Sequence, residues 1–79
     1  MLFRSPPTVT YSGDYLDGFT FSLLSPSNTN LVYYLETATS LEPPVTWTTL
    51  GSTRGTGSRI NLYDPNPVGG EQFYRVRIQ

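Results

Sequence analysis

Apolar and polar residues alternate along several short runs of this chain, with the period of two that a half-buried strand requires. In FTFSLL (19–24), Phe19, Phe21 and Leu23 share one face, and Thr20 and Ser22 the other. In LVYYLETA (31–38), Tyr33 and Leu35 take the inward face and Tyr34 and Glu36 the outward one. RINLY (59–63) turns Ile60 and Leu62 inward. The closing GGEQFYRVRIQ (69–79) sets Tyr74, Val76 and Ile78 against Phe73, Arg75 and Arg77. Two runs of strand-favouring residues, TVTY (8–11) and VTWTTL (45–50), complete six predicted strands. Between them lie SGDYLDG, SPSNTN, TSLEPP, the Gly-rich GSTRGTGS and DPNPVGG, all turn-forming stretches. This spacing predicts an all-β sandwich or barrel in one domain, over residues 14–79. Residues 1–13 read as an extended arm, broken by Pro6 and Pro7.

Composition then removes whole classes of function. With no Cys and no His, a zinc site of thiolates and imidazoles is excluded. Lys is also absent, so no ordinary base can activate Ser or Thr, and triads and Schiff bases are out. A carboxylate pair acting on a glycosidic bond would need a cleft that so small a sandwich has little room for. The chain therefore reads as non-enzymatic and without a cofactor. Asp14, Asp17, Asp64 and Asn66 lack the density of a calcium loop and read as turn caps, and the GTG of residues 55–57 precedes a strand, unlike a phosphate loop. A net charge of −1 argues against nucleic acid. No apolar run is long enough to span a membrane, and the first ten residues hold no signal-peptide core. An exported chain would then be a processed form or a piece of a larger one.

The stretches YYLETATSLEPPVTWTTLG and DPNPVGGEQFYRVRIQ resemble the small immunoglobulin-like or fibronectin-III-like modules of large bacterial surface and secreted proteins. The residues that carry the resemblance are Tyr33 or Tyr34, Leu35, Glu36, Leu41, Trp47, Asp64, Pro65 and Phe73 through Arg77. Ala38 stands where a Ser is usual, and the EPPVT before Trp47 is longer than typical. The resemblance implies a β-sandwich at the cell surface or outside the cell. Its core is expected from Phe19, Phe21, Leu23, Tyr33, Leu35, Trp47, Ile60, Leu62, Tyr74 and Val76. Trp47 is expected to cover one end of that core rather than to serve as a sugar platform. The Tyr74 hydroxyl is expected on nearby backbone, as in a tyrosine corner. Arg75 and Arg77 read as a solvated face, with Glu36 across from one of them if the two strands pair.

A sandwich of this kind ordinarily has one more strand beside the one carrying Tyr74, and here the sequence stops at Gln79. The open edge, with Tyr74, Val76 and Ile78 on its inner face, can stay open or be filled by an N-terminal arm. That arm carries Leu2, Phe3 and Val9, and belongs either to the same molecule or to another copy. The expected partners are other copies joined head to tail into a fibre or layer. The alternative is a monomeric accessory or carbohydrate-binding module of a larger secreted protein. No Asn-x-Ser/Thr sequon is present, although 19 Ser and Thr residues leave O-linked glycans open.

Overall fold

A computed structural model describes residues 7–79 of the chain. Among these are six strands and no helix: β1 (Val9–Asp14), β2 (Gly18–Leu23), β3 (Val32–Ala38), β4 (Thr48–Arg54), β5 (Asn61–Asp64) and β6 (Phe73–Ile78). They form two antiparallel three-stranded sheets, ordered β1-β2-β5 and β4-β3-β6. The two inner faces meet in one cluster of Phe21, Leu23, Tyr33, Leu35, Ile60, Leu62 and Val76, with Val9, Phe19, Leu31, Tyr74 and Ile78 packed at its margin. The protein is thus a small β-sandwich whose filling comes from the alternating positions of β2, β3, β5 and β6.

Because every strand is antiparallel to its neighbours, successive connections alternate between two ends. At the top lie the β1–β2 turn, the β3–β4 loop and the β5–β6 loop. At the bottom lie the β2–β3 and β4–β5 loops, together with Thr8, which accepts from Leu24 N–H, and Gln79, which exchanges backbone bonds with Val32. The bottom loops are locked to each other: Ser27 Oγ accepts from Thr56 N–H (2.8 Å) and donates to Ser58 O (2.6 Å).

Several boundaries differ from the sequence reading. β1 runs on to Asp14 through Gly13, whose φ of +115° a side chain would resist, so Val9 to Gly13 of the expected arm pair with β2 of the same molecule. Leu2 and Phe3 lie outside the described residues. β4 begins at Thr48 rather than Val45 and continues to Arg54, through the first half of the expected hairpin loop. Gly51 makes this possible by sitting opposite Leu35 at a bulge, where no side chain is needed to keep the pairing.

Candidate functional site

Among the described residues the sandwich closes along one side and gapes along the other: β4 and β5 approach each other, whereas β1 and β6 form the margins of an open seam. Tyr11 shows this most directly. Its register partner is the core residue Phe21, so its ring faces inward, yet it is 71% exposed, with none of the described residues covering it. It packs edge-on to Phe19 at 6.2 Å. Tyr74 meets Phe21 from the other sheet at 4.7 Å, and Val9 and Ile78 are left half-buried at the bottom of the seam. The Tyr15 ring closes the top against Phe19 and donates its hydroxyl to Gly70 O (3.0 Å).

Of the four sheet edges, β6 is the most regular. β4 is bulged, β5 has four residues and runs into Pro65, and β1 carries the positive φ at Gly13. Such features blunt an edge. β6 has six residues without Pro, Gly or bulge, and among the described residues only β3 pairs with it.

The outer face of the β4-β3-β6 sheet is not a loosely solvated surface. Glu36 faces Arg75 in register and is only 5% exposed. Its carboxylate accepts from Arg75 Nε (2.8 Å) and Thr49 Oγ1 (3.1 Å), and pairs with Arg77 Nε at 3.2 Å. Each guanidinium also lies over an aromatic ring, Arg75 at 4.3 Å from the Trp47 centroid and Arg77 at 4.2 Å from that of Tyr34. Trp47 is therefore not a lid on the core. It is half-buried on the opposite side of the sheet, drawn there by the cation beside it. Two arginines shield one carboxylate, and two rings shield the arginines.

Burial alone would raise the Glu36 pKa, but hydrogen bonds from Arg75, Arg77 and Thr49 outweigh it and hold the carboxyl below the ordinary value of 4.5. The folded form thus favours the charged carboxylate. Its contribution to stability is complete above 4.5 and is lost as pH falls through the lowered folded value. Glu36→Gln should cost about 1–2 kcal/mol at neutral pH, less than for a fully buried pair because water reaches both guanidiniums. It should also flatten the acid limb of stability. Urea unfolding at neutral pH and at about pH 3.5 checks both, and an equal loss at the two pH values would refute the charge-specific account.

The remaining candidates are engaged locally. Asp14 Oδ1 accepts the backbone N–H of Leu16 (2.9 Å) and Asp17 (2.6 Å), closing the β1–β2 turn. Asp64 is buried; it accepts Asn66 N–H (3.2 Å) and, through Oδ2, the Tyr74 hydroxyl (2.6 Å). That hydroxyl is tied to a carboxylate rather than to backbone, and burial together with the Asp64 charge pushes its pKa well up. Asn66 contributes its backbone to this turn. Among the described residues, no group of three or more His, Cys, Asp or Glu stands together, and no helix is long and apolar enough to cross a membrane. A shallow cleft of about 290 Å³ lies between β4 and β5, with Leu35, Gly51 and Leu62 in its wall.

In fold and site, then, the molecule is a small β-sandwich whose described residues leave a seam open between β1 and β6. No family model, curated protein or solved structure matches the chain.

Proposed function

We propose that the chain is a non-enzymatic, extracellular structural module of the immunoglobulin-like or fibronectin-III-like type that assembles by strand addition. The observation that carries this reading is Tyr11, an inward-facing ring left 71% exposed beside an unblunted β6 edge. The strand order agrees with it. In such sandwiches the neighbours β4-β3-β6 correspond to C′-C-F, and the place beside F belongs to a final strand G. A segment pairing with β6 would bring alternate side chains down between Tyr11 and Tyr74, completing the inner faces, while its backbone satisfies the free edge. Residues 1–7 of a second copy, with Leu2 and Phe3, are the proposed donor. A contact of this kind that does not close on itself propagates as a filament.

The test is particle mass by light scattering, with negative-stain images of the same sample. The full chain should form long polymers, and a variant lacking residues 1–7 should stay monomeric at 79 residues less the arm. Monomers in both samples would refute the assembly.

A further inference from the structure

The charges of the molecule are sorted between its two ends. Asp14, which ends β1, and Asp17, Glu42 and Glu71, in the top connections, are all exposed, and the described residues of those connections include no cation. Arg54, which ends β4, and Arg59, in the β4–β5 connection, are exposed at the bottom, and the described residues of the bottom loops include no acid. Of the two remaining acids, Asp64 is buried at the top end of β5 and bonded to Tyr74, and Glu36 is consumed by Arg75 and Arg77 on the sheet face. Sorting of this kind gives a field that acts before contact, to about 10 Å at 0.1 M salt.

We infer that copies of this chain stack bottom to top, steered by these opposed charges, so that the donor segment of one copy lies along the β6 edge of the next with its Pro7 end at the top, beside the Tyr15–Gly70 contact, and runs antiparallel to that β6. This rests on the strand-addition reading and fixes its direction. Thr8 lies at the bottom, so the donor residues leave from the arginine end of their own molecule. Docked on the acidic top of a neighbour, they would run downward from Pro7 towards Met1 along a β6 that itself runs downward from Phe73 to Ile78. Donor and acceptor are then antiparallel. The same residues folding back into their own seam would instead lie parallel to β6, because the chain must reverse at Pro6 and Pro7 to enter β1. Strand direction therefore separates exchange between copies from self-filling.

Two sets of variants test this, neither touching the seam. R54E/R59E makes both ends acidic, and D17R/E42R/E71R makes both ends basic; Asp14 is left alone because it closes its turn. At low salt each set should weaken association about tenfold or more, while a mixture of the two should restore polymers, and the difference should shrink as salt rises. The chain has no Cys, so engineered pairs report direction cleanly. S5C with Q72C should give an intermolecular ladder on oxidation, and S5C with Q79C should not. Polymers that require residues 1–7 but ignore both charge sets, or that cross-link through S5C and Q79C, would overturn the direction and leave strand addition standing. Monomers of the full chain at every salt concentration would overturn both.

Discussion

Leu35→Ala should lower stability by about 3–5 kcal/mol, at the upper end for a buried leucine, because the site cannot collapse around the hole. Leu35 is 0% exposed and sits in β3, the central strand of its sheet, opposite Val76 on one side and Gly51 on the other. Gly51 has no side chain to move in, and space around its Cβ direction is empty to 4 Å. The void would join the cleft of about 290 Å³ that Leu35 already helps to line. A domain of this size has roughly 4–12 kcal/mol of stability in all, taking about 0.05–0.15 kcal/mol per residue. The variant should therefore lose a large share of its total stability. Urea unfolding followed by circular dichroism measures the change, and a loss below about 1 kcal/mol would show that β4 relaxes into the space.

Gly55→Ala should be about as damaging, at roughly 3 kcal/mol or more, for a different reason. Gly55 is buried at the bottom, where the β4–β5 loop crosses the β2–β3 loop. A Cβ there would fall inside the Asn28 carbonyl oxygen and 2.9 Å from the Asn28 nitrogen. Both are backbone atoms, so no rotamer change relieves the clash. The loops would have to part, breaking the Gly55 N–H bond to Leu31 O (2.9 Å) and the Ser27 bonds to Thr56 and Ser58. Thermal unfolding of Gly55→Ala beside Gly51→Ala provides the control, since the latter meets nothing within 4 Å. Equal melting temperatures would refute the packing argument.

What the sequence revealed and what it hid follow from the range of the forces involved. Alternation is local, so β2, β3 and β6 were legible from side chains two positions apart. The ends of β1 and β4 were not, because Gly13 and Gly51 look like turn residues until a partner strand gives them a place in a ladder. The place of Trp47 and the burial of Glu36 were hidden for a related reason. Glu36 does face Arg75, but the pattern around it could not show that Arg77 and Thr49 would join on the same carboxylate, or that Trp47 would pack on Arg75. The sorted charges were readable in principle. Connections in an antiparallel sandwich alternate ends, and the acids of the loops fall in the first, third and fifth connections while Arg54 and Arg59 flank the fourth. The signal appears only once the number of strands is fixed, because one strand more or fewer scrambles the assignment.

The arginine-capped Trp47 has a spectroscopic consequence. It is the chain's single tryptophan, and it lies on the sheet face away from the seam, whereas Tyr11, Tyr15 and Tyr74 cluster at or beside the seam. The indole therefore reports from the sheet face, while only three of the chain's six tyrosines lie at or beside the seam. Selective excitation of the indole follows the grip of Arg75 on Glu36 during an acid titration, whatever occupies the open side. One unlabelled sample can thus report the integrity of the subunit by an optical channel separate from its groove.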